Sequence, residues 1–463
     1  MKRISIAATL TAFLAPLPGL ADMAPVHGTA QKEMQQFRQA AEQGASFIFY
    51  DIGWNYELGR GVKADEQEAL RWYQRGAKAG ESRAQYRLGR YAQNGGNLFP
   101  RDLKQAYDWY LRAAGQGHPG AQHALSLMLA GGQGVKQDDA AAFRWIEHAA
   151  AQGNAEALHR LGFHLITGRG VARNAERARQ VCQQAAEKGL DNAQFDLAQF
   201  YLRGDGVPRD VAMAIPWLER AAEQAHVDSA LALGRIYLQG LGVERDYKLA
   251  AKWLGRAAQL SNADAQYWLA RLFYTGLGVE KDEAKAFRWI AQAAEQGQFD
   301  AMLELARRYA SGTGVPKSPA RSLELYEQVA ERGHLDAQNL LAVRYHTGDG
   351  VPRDAARAAY WYGKAALQGD AWAHLKLGIA YLEGEGLPQN TLRAMEHLHA
   401  AAEQGVDLAQ WLYGDVLVDS ADTLEEARDA VVWLRRAHAQ GLVYAQEKID
   451  VVCGKTPSVC VAP

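Results

Sequence analysis

A Gly-x-Gly-Val turn recurs along most of the chain at a fixed interval, and this period constrains the fold more than any other feature. The copies begin at Gly59, Gly132, Gly168, Gly204, Gly240, Gly276, Gly312, Gly348 and Gly384, with Leu in place of Val in the last. A degraded copy, Gly-Gly-Asn-Leu, begins at Gly95, and every step from Gly132 onward is 36 residues. A period of about 20–50 residues indicates stacked supersecondary units rather than independent domains.

Each unit has the pattern of two helices joined by the glycine turn. Glycine adopts the left-handed conformation that ends a helix, so the turn ends the first helix. A short polar residue then precedes the second helix in every copy. Its side chain can accept a hydrogen bond from a free backbone N–H in the first turn of that helix. These expected N-cap residues are Asp65, Asp102, Asp138, Asn174, Asp210, Asp246, Asp282, Ser318, Asp354 and Asn390.

Two further columns predict how the helices pack. One place in the first helix is always small, which allows close helix contact: Gly53, Gly89, Ser126, Gly162, Ala198, Gly234, Ala270, Ala306, Ala342, Gly378 and Gly414. The second helix repeats a tryptophan, at Trp72, Trp109, Trp145, Trp217, Trp253, Trp289, Trp361 and Trp433. No stretch alternates apolar and polar residues, with β-branched enrichment, as a strand does. The sequence therefore predicts an all-α fold, an α/α superhelical solenoid of about eleven 36-residue helix-turn-helix repeats.

These columns (Leu-Gly-x-x-Tyr, Gly-x-Gly-Val, Asp, Trp and Ala-Ala) resemble the Sel-one-like repeat family, a relative of the tetratricopeptide repeat with a longer turn. The resemblance implies a right-handed superhelix that serves as a protein-interaction scaffold. Exported bacterial members look like adaptors for envelope assembly, polysaccharide secretion, signalling or host contact. One branch, rich in paired cysteines, includes members reported to bind β-lactams. This chain departs from that branch, because Cys182 is alone within the repeats and is expected to be buried and unpaired.

The N-terminus has the pattern of a secretory signal peptide, with basic Lys2 and Arg3, an apolar stretch from Ile4 to Leu14, and small residues before position 22. The domain organisation that we predict is a signal peptide at 1–21, a capping helix at 22–45, the repeat solenoid at 46–441 and a C-terminal tail at 442–463. The expected location is the periplasm, or beyond it if the protein is secreted. No later segment is long and apolar enough to span a membrane.

Two cysteines, Cys453 and Cys460, follow the last helix of the last predicted hairpin, Val406–Gly441. In an exported chain they are expected to form a disulfide that closes a small loop; two free thiols are the alternative.

The motifs of catalysis are missing from the sequence. It has no Gly-x-Ser-x-Gly, no serine followed three residues later by lysine, and no His-Glu-x-x-His among its 13 histidines. The prediction is a protein that is not an enzyme and needs no cofactor or metal. With 51 basic and 53 acidic residues, the chain also has no excess charge that favours nucleic acid.

Partner binding is expected on the first helices, which line the concave groove of tetratricopeptide-type solenoids. By that analogy, the residue after the small column faces the groove. The candidate binding residues at this place are Arg90, Arg235, Arg271 and Arg307. Two aromatic candidates, Tyr86 and Tyr267, stand two places before the leucine that precedes the small column. Arginine and aromatic side chains are frequent interface anchors. The alternative is that these arginines pair with acids on adjacent repeats and that the rings are ordinary packing.

The sequence therefore favours a periplasmic, non-enzymatic scaffold or adaptor that binds a partner protein or peptide in its concave groove. The candidate processes are envelope assembly, secretion and signalling. Two other hypotheses stay open: a factor that binds or exports an anionic polysaccharide, and a β-lactam-binding, hydrolase-like protein. The pattern predicts no partner identity and no oligomeric state.

Overall fold

The computed structural model describes residues 27–421 and 423–460, and within these residues every regular element is helical. The predicted signal peptide and positions 22–26 lie outside the described residues. The all-α prediction is confirmed. The chain divides into two compact units, with the boundary between Ser229 and Ala230.

The helices follow one another in pairs. Those before the boundary are α1 (His27–Glu42), α2 (Phe49–Leu58), α3 (Glu66–Lys78), α4 (Ser82–Asn94), α5 (Leu103–Gly115), α6 (Pro119–Gly131), α7 (Asp139–Ala151), α8 (Ala155–Thr167), α9 (Ala175–Glu187), α10 (Asp191–Arg203) and α11 (Val211–Glu223). A short 3-10 helix, Ser46–Ile48, precedes α2.

Helix α12 (Val227–Gln239) contains the boundary in its first turn. The others are α13 (Tyr247–Gln259), α14 (Ala263–Thr275), α15 (Glu283–Glu295), α16 (Phe299–Ser311), α17 (Pro319–Glu331), α18 (Leu335–Thr347), α19 (Ala355–Ala366), α20 (Ala371–Glu383), α21 (Thr391–Glu403), α22 (Asp407–Ser420), α23 (Leu424–Ala439) and α24 (Val443–Lys455). From α2 to α23 the described helices form eleven hairpins, each with an even-numbered first helix and an odd-numbered second helix.

The ends of the helices are set by local interactions, as the sequence predicts. Asp282 accepts a hydrogen bond from the backbone N–H of Lys285 at 2.8 Å, and all ten predicted N-cap residues accept in the same way. The two glycines of the turn at 132–134 have different roles. Gly132 ends α6 with φ +64°, whereas Gly134, at φ +71°, approaches the preceding repeat so closely that a Cβ there would lie 2.5 Å from the carbonyl of Leu103.

The small column is the contact between the two helices of a hairpin. All eleven of its residues are buried. A Cβ on Gly89 would lie 2.6 Å from the ring of Tyr110, and one on Gly378 would lie 2.6 Å from the side chain of Leu398. The first helix therefore lies directly against a large buried side chain of the second, and the column is small for a steric reason.

A hydrogen-bonded pair of glutamines, one buried and one exposed, links consecutive repeats, and the sequence analysis missed it. The Nε2 of Gln266 donates to the carbonyl of Ala258 at 3.2 Å, and its Oε1 accepts from the Nε2 of Gln296 at 2.8 Å. The equivalent pairs are Gln85–Gln116, Gln122–Gln152, Gln194–Gln224, Gln338–Gln368 and Gln410–Gln440. From Gln122 to Gln410 the pairs recur in every second repeat. A buried amide is costly unless it is hydrogen-bonded, and here both ends are paired.

The C-terminus differs from the prediction. Cys453 does not follow the last helix, because α24 extends from Val443 to Lys455 and contains it. Residues Ala445, Ile449 and Val452 lie on one face of α24 and pack in the cluster that contains Val431 and Leu434 of α23. Helix α24 thus occupies the place of a further first helix, and the hairpin at 406–441 is not the last element of the fold.

Candidate binding surface on the first helices

Most of the first helices expose the position immediately after the small column. In α14, Leu269 and Ala270 are buried against the rest of the unit, and the next residue, Arg271, is exposed. The same holds for Arg235 on α12 and Arg307 on α16. The predicted arginine positions therefore lie at the solvent-facing side of three successive first helices, for the geometric reason that successive helical residues are about 100° apart.

Arg271 lies among aromatic rings rather than carboxylates. Its guanidinium is 5.1 Å from the ring centroid of Trp268 and 6.0 Å from that of Tyr267. Tyr267 is half-buried, and burial raises the pKa of its phenol. A cation over an aromatic face is held by about 0.5–1 kcal/mol at an exposed site. The guanidinium also donates a hydrogen bond to the Tyr267 hydroxyl. The stacking on the ring faces uses none of its other N–H donors, which lie in the plane of the guanidinium.

Arg307 has a weak intramolecular partner. Its Nη1 lies 3.9 Å from Glu304 of the same helix, and its side chain is 66% exposed. The same Glu304 carboxylate accepts from the Nε of Arg308 at 3.0 Å, and that side chain is only 5% exposed. Because Glu304 is bound to the buried Arg308, the exposed Arg307 lies at the longest distance that counts as an ion pair. An exposed pair of this kind contributes little free energy in water.

The two candidates in the first unit have different surroundings. The ring of Tyr86 stacks on His118 at 4.5 Å and packs on Tyr110 at 5.7 Å, so Tyr86 joins adjacent repeats. Arg90 is exposed and lines a polar cleft of about 240 Å³ with Glu57, among others. The packing alternative for the rings therefore describes Tyr86, whereas Arg90 lies at the surface.

Sequence reasoning missed a charged network beside that cleft. The carboxylate of Glu57 accepts from the hydroxyl of Tyr73 at 2.6 Å and pairs with the guanidinium of Arg87, which also lies over the ring of Trp54 at 4.9 Å. Burial and the bonded carboxylate raise the pKa of Tyr73. The spacing of Trp54 and Glu57 by three residues places them on one helical face and was the available signal.

A second feature that the sequence did not predict lies at the end of the second unit. A cavity of about 580 Å³ is lined by residues of α22 and α24, including Leu408, Trp411 and Val451. The indole Nε1 of Trp411 is buried, with no hydrogen-bond partner in the described residues. Lys448 closes one side, with its Nζ 2.6 Å from Asp415.

The predicted cysteine pair is brought together in the structure. Cys453 and Cys460 are joined by a disulfide, with 5.6 Å between their Cα atoms, across the 3-10 helix Pro457–Val459. Cys182 is a buried free thiol, as predicted, and burial raises its pKa to about 12. A thiol held in its neutral form is unreactive at neutral pH.

Residues 27–421 and 423–460 lack two other features. There, histidine, cysteine and carboxylate side chains form no group of three or more that could hold a metal ion. In the same part of the chain, no helix combines the length and the apolar character that crossing a bilayer requires.

Comparison with known proteins identifies the repeat. The Sel1 repeat model matches ten segments, at residues 50–81, 82–118, 119–154, 155–190, 191–226, 227–262, 263–298, 299–334, 335–370 and 373–406. No curated protein sequence shows a significant match to the chain.

Two solved structures are similar over most of their length. One is c5321, described as a protective antigen present in uropathogenic Escherichia coli strains and displaying an SLR fold. It is 31% identical, with a TM-score of 0.66, and the match covers 91% of this chain and 90% of that one. The other is a Sel1 repeat protein from Oxalobacter formigenes, 30% identical with a TM-score of 0.55, covering 71% of this chain and 92% of that one. With ten matched repeats and these two structural relatives, the chain belongs to the Sel1 repeat family.

Proposed function

We propose that this protein is a non-enzymatic scaffold of the periplasm, whose exposed first-helix arginines bind an acidic segment of a partner protein. The repeat fold supports the general role, because solenoids of this type are commonly protein-interaction scaffolds. The observation that carries the proposal is the run of Arg235, Arg271 and Arg307 at equivalent exposed positions. Arg271 lies over an aromatic ring, and Arg307 is 3.9 Å from its carboxylate partner, so neither is held in a close ion pair.

Arginine at such positions recognises carboxylates through paired N–H donors, which gives both charge and direction. The ring of Trp268 beside Arg271 adds an apolar surface of the kind that anchors an interface. An acidic peptide with an apolar residue between its carboxylates is therefore the ligand chemistry that this face favours.

The test is a reversal of charge on the first helices. The triple variant Arg235→Glu, Arg271→Glu and Arg307→Glu is compared with Arg288→Glu, Arg321→Glu and Arg393→Glu, which changes the net charge equally on second helices. A fluorescent peptide rich in glutamate, with one central tyrosine, is titrated into each by fluorescence anisotropy. The proposal expects at least a tenfold loss of affinity in the first variant only. Equal binding by both variants overturns it.

An anionic polysaccharide offers carboxylates to the same arginines, so it remains the second candidate ligand. Retention of the wild-type protein on an alginate-type matrix, lost in the first variant but not in the second, together with no binding of the acidic peptide, would support it instead. Crosslinking in envelope extract followed by recovery of the scaffold identifies which kind of partner is present.

The periplasmic location rests on the N-terminal pattern and on the Cys453–Cys460 disulfide, which suits an oxidising compartment. Sequencing of the mature N-terminus from a periplasmic fraction is expected to begin at Asp22. Full-length protein retained in the cytoplasm contradicts this part of the proposal.

A further inference from the structure

Two histidines that are 23 residues apart converge in the second unit. His374 lies on α20 and His397 on α21, and their Nδ1 atoms are 2.9 Å apart. The ring centroids are 5.1 Å apart with an interplanar angle of 43°. Two neutral imidazoles at this distance share one proton, because one nitrogen must donate while the other accepts.

Both imidazoles line a cavity of about 620 Å³, together with Tyr360, Leu377 and Tyr381. The ring of Tyr381 is stacked on His397, with centroids 5.7 Å apart and an interplanar angle of 8°, and its hydroxyl accepts from Arg393 at 3.1 Å. The stack fixes the plane of the His397 ring, as supporting residues do for histidine ligands.

His397 is surrounded by apolar contacts and by several charged groups. Burial, and then the neighbouring His374, lower the pKa of His397; Glu396 opposes this, and Arg393 adds to it. Lys364 also lines the cavity, with its ammonium over the ring of Tyr360 at 5.5 Å. A neutral imidazole has one lone pair in the plane of its ring, and this lone pair is what binds a transition metal.

We propose that His374 and His397 form a two-imidazole site for a divalent transition-metal ion, with Cu²⁺ bound most tightly. Neutral imidazole suits Cu²⁺, Ni²⁺ and Zn²⁺, and affinity among divalent ions is greatest for Cu²⁺. With metal–nitrogen bonds of about 2.0–2.1 Å, as zinc–histidine bonds have, a nitrogen separation of 2.9 Å corresponds to an angle of roughly 90° at the metal. That angle matches adjacent corners of the square-planar arrangement that Cu²⁺ and Ni²⁺ prefer.

Binding displaces the shared proton from between the two Nδ1 atoms, and the ring that held it carries its proton on Nε2 instead. Both histidines then bind the ion through Nδ1 as neutral imidazoles, with no net release of a proton. The two protein ligands occupy two coordination positions, and water completes the remainder from the cavity side. The described residues bring no third histidine, cysteine or carboxylate into a metal-binding group, so the site is an exchangeable one rather than a closed structural centre.

The chain offers a matched control on the same helix. His399 is two residues from His397 and therefore points elsewhere, with its ring 4.9 Å from that of Tyr413 and its Nε2 3.7 Å from Glu403. The variants His374→Ala and His397→Ala remove one proposed ligand each, and His399→Ala removes a histidine outside the site.

Copper uptake by the full-length mature protein is measured by isothermal titration with Cu²⁺ in a weakly coordinating buffer at pH 7.5. The wild type and His399→Ala are expected to bind one more Cu²⁺ than either ligand variant at micromolar concentrations, or to bind it at least tenfold more tightly. Electron paramagnetic resonance of the first equivalent is expected to show coupling to two nitrogens, reduced in both ligand variants.

Far-UV circular dichroism checks that each variant is folded, and His374→Gln and His397→Gln replace any alanine variant that is not. Equal copper uptake and unchanged spectra in the wild type and both ligand variants overturn the proposal, and the pair is then a proton-sharing packing contact.

Discussion

Replacement of Gly378 by alanine tests whether the small column is small for the steric reason inferred here. The new Cβ would lie 2.6 Å from both Cγ and Cδ2 of Leu398 and 3.3 Å from the carbonyl oxygen of Ala394. Carbon atoms in contact are normally about 3.5–4.0 Å apart, so α20 and α21 must separate by about 1 Å. Overpacking of this kind costs about 1–3 kcal/mol.

Alanine also has a higher helix propensity than glycine, by about 1 kcal/mol, and this gain must be separated from the clash. Gly255, inside α13 of the same unit, provides the control, because a Cβ there meets no atom within 4 Å. Gly255→Ala is therefore expected to stabilise the protein. The free energy of unfolding of Gly378→Ala is expected to lie about 1–3 kcal/mol below that of Gly255→Ala.

The assay is urea unfolding followed by far-UV circular dichroism, with hydrogen exchange of the α20 and α21 amides to locate the effect. Leu398 is fully buried, so Leu398→Ala alone costs about 2–5 kcal/mol. In the double variant with Gly378→Ala, the added methyl group fills part of that space, so the two losses are expected to be less than additive. Equal stabilities of Gly378→Ala and Gly255→Ala, or full additivity with Leu398→Ala, would refute the steric reasoning.

Three further predictions concern contacts between repeats and the C-terminal end. Gln266→Leu removes the acceptor of Gln296 and the donor to Ala258, so a loss of about 1–3 kcal/mol is expected in urea unfolding, whereas Gln292→Leu, on the surface of α15, should change little. Stability should fall as the pH drops below about 6.5, because burial lowers the pKa values of His118, His123 and His397 in the folded protein. The unfolded chain then binds more protons than the folded one, and a Tm that is constant from about pH 7.5 to 5 contradicts this. Reduction of the Cys453–Cys460 disulfide, or the double variant Cys453→Ser with Cys460→Ser, should lower the free energy of opening of α24 by about 2 kcal/mol. Hydrogen exchange of the α24 amides measures this loss, with α13 as the unaffected reference.

The features that the sequence predicted are local ones. An N-cap such as Asp282 bonds an N–H three residues away, and a glycine such as Gly132 ends a helix through its own backbone conformation. Both signals act within one turn of helix and recur every 36 residues, so repetition made each of them visible. The exposed positions of Arg235, Arg271 and Arg307 also followed, because the helical period relates them to the buried column next to them.

The same reasoning failed where the signal was not periodic or not local. Helix α24 lacks the glycine turn of the repeats, so the repeat pattern does not predict its apolar face at Ala445, Ile449 and Val452. Tyr86 has the residue type of an interface anchor, but the structure shows its ring stacked on His118 of the next repeat. Residue type alone does not distinguish these two environments.

By itself, then, the sequence determined the repeat, the hairpin, the helix ends and the family, because all of these depend on interactions between residues within about one turn and on their recurrence. Only the tertiary structure decided which side chains meet across repeats. Gln266 reaches Gln296 over 30 residues, and His374 meets His397 over 23. Such contacts depend on how far one helix is rotated and displaced against the next, and that placement is set by side-chain packing along the whole unit rather than by any local motif.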